Sequence, residues 1–170
     1  MCLIFKVKLG KKMIKKFPKV RQFRPKNPQK YFGTTHNIYA RSMWEVKMMH
    51  WCDNEPSVIK WNSEDFVVPY YSKSEAKWRN YHIDFYIEYK SANGSIKKAL
   101  IEIKPYCQTV APKLGRRKSE QSYLKERLAY QVNLDKWEAA WDYAQARGME
   151  FLIFDEYDLG LKPIPKGGKK

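Results

Sequence analysis

The run from Asn80 to Pro105 limits what this chain can fold into more than any other stretch. It reads Asn-Tyr-His-Ile-Asp-Phe-Tyr-Ile-Glu-Tyr-Lys, then Ser-Ala-Asn-Gly-Ser, then Ile-Lys-Lys-Ala-Leu-Ile-Glu-Ile-Lys-Pro. Two segments rich in Ile, Tyr and Phe around an Asn-Gly pair predict a β-hairpin. In its second strand Glu102 and Lys104 share one face, while Ile101 and Ile103 take the other. Asp84 sits in the facing strand. Two carboxylates and one ammonium at the end of a sheet suit the holding of a divalent cation and the activation of a water beside it.

Register sharpens this expectation. A strict two-residue turn at Asn93-Gly94 would pair Asp84 with Ile103 and Phe85 with Glu102, which puts the two acids on opposite faces. A shared cation therefore requires a longer loop or a bulge that moves the pairing by one and sets Asp84 across from Glu102. The triplet Glu-x-Lys is uninformative alone, since it recurs at 45–47, 75–77, 88–90 and 102–104. Context separates the last copy: an apolar strand before it, an acid on the paired strand, and Pro105 to stop the strand. The competing reading is an exposed salt bridge on a hairpin, which contributes little and needs no such setting.

With 170 residues the chain is expected to form one domain with a real core. Lys and Arg number 33 against 18 acids, a formal charge of +15, which points to a polyanionic partner with nucleic acid first. A membrane is not expected as a partner, because no apolar run approaches the length of a spanning helix. Cys2, Cys52 and Cys107 are odd in number and unrelated in spacing, which argues for free thiols in a reducing compartment. His50-Trp51-Cys52 falls short of a zinc pattern.

From Met1 to Trp44 there is no acid. Residues 1–30 read as a basic arm, 31–155 as the folded domain and 156–170 as a basic, fraying tail. In the arm Lys15, Lys16, Lys19, Arg21 and Arg24 are candidate contacts to DNA phosphates, and Arg41 follows at the end of the acid-free stretch. Tyr31, Phe32 and Tyr39 interleave with these charges as packing or base-stacking residues. A helix is expected over 38–53, with Trp44, Met48, Trp51 and Cys52 as its apolar stripe. Glu45 borders that stripe, one turn from Arg41, and either pairs with Arg41 or turns toward the hairpin. Strand-like runs follow at 58–61 and 66–71, and 72–79 reads as a loop. After Pro105 a loop is expected to Lys118, where Lys113, Arg116, Arg117 and Lys118 form a basic cluster able to contact phosphates. Ser119 caps a helix to about Val132, and Asn133 starts a second one with Leu134, Trp137, Ala140, Trp141 and Ala144 inward. Residues 149–154 form a buried strand. A strand, a helix and a strand in that order imply a right-handed crossover and a parallel pair.

The order helix, three strands, helix, strand, with Asp on one strand and Glu-x-Lys on the next, resembles the PD-(D/E)XK nuclease core. The resemblance implies a mixed α/β, restriction-endonuclease-like fold. Ile83 stands where the name-giving Pro would be. Over roughly Arg24 to Phe154 the chain resembles, more narrowly, the head-completion nucleases of T-even-type tailed phages, themselves similar to the transposon-end nuclease TnsA. The segments that carry this are Arg24-Pro25-Lys26-Asn27-Pro28-Gln29-Lys30-Tyr31, Tyr39-Ala40-Arg41-Ser42-Met43-Trp44-Glu45, Ile101-Glu102-Ile103-Lys104-Pro105 and Lys136-Trp137-Glu138-Ala139-Ala140.

The resemblance implies a DNA endonuclease dependent on Mg2+, with Mn2+ as a substitute. It implies catalytic Glu45, Asp84, Glu102 and Lys104, with the cation on Asp84, Glu102, the Ile103 backbone carbonyl and, as a further ligand, Glu45. It also implies double-stranded DNA and phage portal or head proteins as partners, and a place in the virion or the host cytoplasm during assembly. Two alternatives stay open at this point. One is a non-catalytic DNA- or portal-binding structural protein, in which Asp84, Glu102 and Lys104 would not converge; the other is the end-cutting subunit of a transposase.

Overall fold

The structure is a computed structural model and describes residues 20–163. Lys15, Lys16 and Lys19 of the arm, and the tail beyond 163, lie outside the described residues. Along the chain the elements are β1 (Arg21–Gln22), β2 (Tyr39–Ala40), α1 (Met43–Asn54), β3 (Val58–Ser63), β4 (Val67–Ser72) and β5 (Lys77–His82). Then follow β6 (Phe85–Lys90), β7 (Ile96–Ile103), α2 (Tyr106–Thr109), α3 (Glu120–Gln145) and β8 (Glu150–Phe154). The central sheet has the order β3-β6-β7-β8; its first two pairings are antiparallel and β7 and β8 run parallel.

Alternation along the strands divides the core between two helices. On one face Ile87, Ile101 and Ile103 join Trp61 and the α1 residues Met48, Met49 and Cys52. On the other, Tyr86 and Leu100 join Ala140 and Ala144 of α3 and Val68, Tyr70 and Tyr81 of the β4–β5 hairpin. Each fully buried large side chain of this kind contributes about 1.5–3 kcal/mol. A sheet between two helix layers, built in the order α1, β3, β6, β7, α3, β8, is the restriction-endonuclease-like core expected from the sequence.

The β6–β7 hairpin takes the shifted register. The Ser91 amide donates to the Ser95 carbonyl at 2.9 Å and the Gly94 amide to the Ser91 carbonyl at 2.8 Å, so Ala92-Asn93-Gly94 form the loop. Phe85 then pairs with Ile101 and Lys90 with Ile96, which sets Asp84, one step beyond, opposite Glu102. The loop depends on Gly94 at φ +84°, a conformation that costs other residues about 1–2 kcal/mol. Gly94→Ala has room for its methyl group, with Lys90 the nearest neighbour at 3.8 Å. Its expected loss is therefore the backbone strain of about 1 kcal/mol, read as a lower urea midpoint with unchanged m-value.

Several expected boundaries move. The first helix starts at Met43 because Ser42 caps it, its Oγ accepting from the Glu45 amide at 3.1 Å; Tyr39–Ala40 before it pairs with Arg21–Gln22 as strand. Its buried stripe is Met48, Met49 and Cys52, and Trp51 is exposed. Lys77 to Arg79 belong to β5, not to a loop: the hairpin lies off the main sheet, so even polar residues can form strand there while Val68, Tyr70 and Tyr81 are buried. The strand expected to run through Asn80–Lys90 breaks at Ile83–Asp84. Residues 106–109 form a short helix inside the expected loop.

The two expected C-terminal helices are one continuous α3. Asn133 and Asp135 read as a cap, but no Gly or Pro interrupts 119–145, and the Asp135 carboxylate accepts from the Lys73 amide at 2.9 Å across the fold and from Gln131, one turn back on the same helix, at 2.8 Å. Leu134 and Trp141, expected inward, are exposed. Part of the expected arm is built into the fold. Phe23 is buried, the Lys26 and Asn27 amides donate to the Asp53 carboxylate at 2.7 and 3.1 Å, and Lys30 Nζ donates to the Glu55 carbonyl at 2.7 Å. The expected tail also starts folded, with Glu156 buried and accepting from the Tyr106 amide at 2.8 Å.

Candidate active site

Three of the expected residues meet at the carboxyl end of β7. Glu102 is 2% exposed, and its Oε1 pairs with Lys104 Nζ at 2.9 Å. Its Oε2 is buried with no hydrogen bond. Asp84, at the break before β6, accepts from the Ile103 amide at 2.8 Å, which ties the two strand ends together between Glu102 and Lys104. The Lys104 amide in turn donates to the Phe154 carbonyl at 2.9 Å and continues the parallel ladder. This is no exposed salt bridge of the Glu-x-Lys kind.

The electrostatics are those of two acids forced together. Burial first, then the Glu102 carboxylate beside it, pushes the Asp84 carboxyl up to about 8, against the opposing pull of the Ile103 amide and the Lys104 charge. Burial would lower Lys104, but the carboxylates of Glu102 and Asp84 outweigh it and hold the ammonium above its ordinary value. Tyr81 is raised, by burial first and then by the Glu102 carboxylate near its buried hydroxyl. An orphaned buried carboxylate oxygen facing a second crowded carboxylate is a site short of positive charge. The donors are hard oxygens, so the residues fit Mg2+ or Mn2+.

Glu45 rises from α1, on the opposite face of the sheet, at the edge of this cluster. Its carboxylate accepts from the Arg41 backbone amide at 2.7 Å, and its charge reaches Lys104 and Glu64. Among the described residues no three His, Cys, Asp or Glu side chains converge on one point, so Glu45 is not brought into ligand position with Asp84 and Glu102. The Arg41 guanidinium pairs instead with Glu64 at 3.1 Å. Glu64 was not visible as a site residue in the sequence. It adopts φ +63°, rare for a residue with a side chain, and its amide donates to the Asp84 carbonyl at 3.2 Å.

The basic candidates are spread widely. Arg21 and Arg24 are exposed at the edge of the fold, and Lys113, Arg116 and Arg117 are exposed in the loop before α3, whereas Lys118 is paired with Glu126 at 2.6 Å. Of the interleaved aromatics, Tyr31 is buried edge-on against Trp61 at 4.7 Å, whereas Phe32 and Tyr39 are exposed. Sequence reasoning also passed over Tyr81 and treated Lys136 only as part of a motif; both sit on the α3 side of the sheet, the side that Glu102 faces.

Residues 55–156, which hold Asp84, Glu102 and Lys104, match the family described as TnsA-like endonuclease N terminal. The chain belongs to the TnsA-like endonuclease family. It is also 37% identical over 138 residues to the head completion nuclease of Enterobacteria phage T4, covering 79% of this chain and 89% of that protein.

Proposed function

We propose that the protein is a divalent-metal-dependent DNA endonuclease acting in phage head completion, which hydrolyses phosphodiester bonds of packaged DNA or its ends. The observation that carries this reading is the convergence of Asp84, Glu102 and Lys104, with one buried Glu102 oxygen left without a partner. A structural protein with a vestigial cluster would have no reason to keep two carboxylates buried together at the cost of their desolvation. The phage role rests on the likeness to the T4 protein, and DNA as substrate agrees with the +15 charge. The same reading places the protein in the virion or the host cytoplasm during assembly, beside portal or head proteins.

Asp84 and Glu102 would hold Mg2+ or Mn2+, with the Ile103 backbone carbonyl as a further oxygen; the bound ion would supply Lewis-acid polarisation of phosphate and water. Lys104 stays protonated beside its two carboxylates. As a cation and hydrogen-bond donor it would orient the attacking water and offset charge that builds on the phosphate. Glu45, which accepts from the Arg41 amide at the rim, would orient or accept a proton from that water. Phosphate contacts from Arg21, Arg24, Arg41, Lys113, Arg116, Arg117 and Lys118, with Lys15, Lys16 and Lys19 from the arm, would seat DNA without reading its sequence.

The test is incubation of linear and supercoiled DNA with the purified protein in Mg2+, in Mn2+ and in EDTA. Cutting in either ion and none in EDTA is the expected result; equal cutting with EDTA, or none under any condition, overturns the reading.

A further inference from the structure

Lys136 lies near the middle of α3 with its side chain half-buried. Its ammonium sits over two tyrosine rings, 5.3 Å from the centroid of Tyr81 and 5.9 Å from that of Tyr70. None of the hydrogen bonds or ion pairs among the described residues takes this ammonium. By contrast Lys73, Lys77, Lys97, Lys104, Lys118 and Lys162 each pair with a carboxylate. A half-buried cation without an anion is costly, and cation–π contact offsets only part of that cost.

Its position follows from the helix and strand repeats. Ala140 of α3 and Leu100 of β7 lie in the same core cluster with Tyr70 and Tyr81. One helical turn back from Ala140 is Lys136, about 6 Å along the axis. Two residues on from Leu100, on the same face, is Glu102, about 6.6 Å along the strand. The chain leaves the end of β7 and returns through α3 to the start of the parallel β8, so the helix runs against β7 and both displacements point toward the carboxyl end of the sheet. Lys136 and Glu102 thus rise to the same level with Tyr81 between them. The electrostatics agree: burial first and the Lys104 charge second lower the Lys136 ammonium, while Glu102 and Asp84 pull the other way.

We propose that Lys136 is a second phosphate-binding cation of the site, seated on Tyr81 and Tyr70, whose ammonium takes a non-bridging phosphate oxygen of the DNA strand held over Asp84 and Glu102. This rests on the nuclease reading above. It assigns two lysines distinct tasks: Lys104, paired with Glu102, serves the attacked phosphate from the sheet, and Lys136 holds the strand from the helix.

The experiment measures affinity for a fluorescent linear duplex by anisotropy across a salt series in Ca2+, an ion that takes the same oxygen ligands as Mg2+. Wild type, Lys136→Met and Lys136→Arg are compared, with thermal melting of all three. Loss of one phosphate contact is expected to reduce the slope of log K against log salt by about 0.9 in Lys136→Met, with several-fold weaker binding, while Lys136→Arg keeps the wild-type slope. A residue that only packs would alter melting and leave the slope unchanged, and that outcome overturns the proposal. Cleavage by Asp84→Asn, assayed separately, tests the nuclease reading itself. Undiminished cutting there defeats that reading while the slope still decides on Lys136.

Discussion

Replacing Lys104 with alanine is expected to lower DNA cleavage by about 10²–10³-fold, and replacing Asp84 with asparagine by at least as much, with the folded state retained in Asp84→Asn. The first figure is what removal of one preorganised donor to developing charge costs in an enzyme site. Lys104 is the partner of Glu102 at 2.9 Å, so its loss also leaves a 2%-exposed carboxylate without a counter-charge. For this reason Lys104→Ala alone is ambiguous between chemistry and folding. Asp84→Asn removes a charge from a crowded pair, keeps an oxygen able to accept from the Ile103 amide, and should fold at least as well as wild type. Cleavage lost in Asp84→Asn at an unchanged or higher melting temperature attributes the loss to the site. Full activity in Asp84→Asn would remove Asp84 from it.

The second large effect is on stability and needs no substrate. In the native state the Asp84 carboxyl titrates well above its ordinary value of about 4, so between that value and about 8 the folded protein binds a proton that the unfolded chain has released. Stability therefore falls as pH rises through this window when no divalent cation is present. A tenfold change in proton affinity is worth about 1.4 kcal/mol, which puts the loss on the order of a few kcal/mol. Asp84→Asn should flatten the profile and exceed wild type at pH 8. Millimolar Mg2+ or Mn2+ should restore wild type there and do little near pH 5, where the proton already neutralises the pair, and should leave Asp84→Asn almost unaffected. Thermal melts at pH 5 and pH 8, with EDTA and with Mg2+, read all of this. A wild-type melting temperature in EDTA that is the same at both pH values would show that the two acids are not crowded as the structure has them.

The phosphate-binding task given to Lys136 bears on both results. Lys136→Met is expected to keep the fall of stability with rising pH, because the crowded pair of acids is intact, and to lose DNA affinity. Asp84→Asn should flatten the pH profile. The two substitutions thus separate the electrostatics of the pair from the seating of the strand.

Much of the site was legible because hairpin chemistry is local. Asn93-Gly94 and the alternation at 100–104 placed Glu102 and Lys104 on one face, and the demand for a shifted register was met by a three-residue loop that closes on Gly94. The order strand, helix, strand likewise gave β8 and its parallel pairing with β7, although β8 is half-buried where the sequence predicts a buried strand. Helix α3 was misread as two because Asn and Asp are capping residues by intrinsic preference, and only the packing of Lys73 on Asp135 reveals that the side chain is spoken for elsewhere. The β5 strand was missed because its polar residues bear no alternation; it is a strand through its partner β4, not through its own composition.

What the amino-acid sequence determined alone was the pairing of acids and lysine on adjacent strands, the helix-sheet-helix order and the basic surface, since each follows from contacts between residues near in the chain or from composition. Which groups join that cluster was decided only by tertiary structure. Glu45 stands at the rim because α1 lies on the opposite face, and Glu64 enters through a left-handed turn that lets its amide reach the Asp84 carbonyl. Tyr81 and Lys136 arrive from a hairpin and a helix distant in sequence. The carboxyl of Asp84 is shifted by burial first, and no local pattern encodes how much water a folded chain will exclude from a given atom.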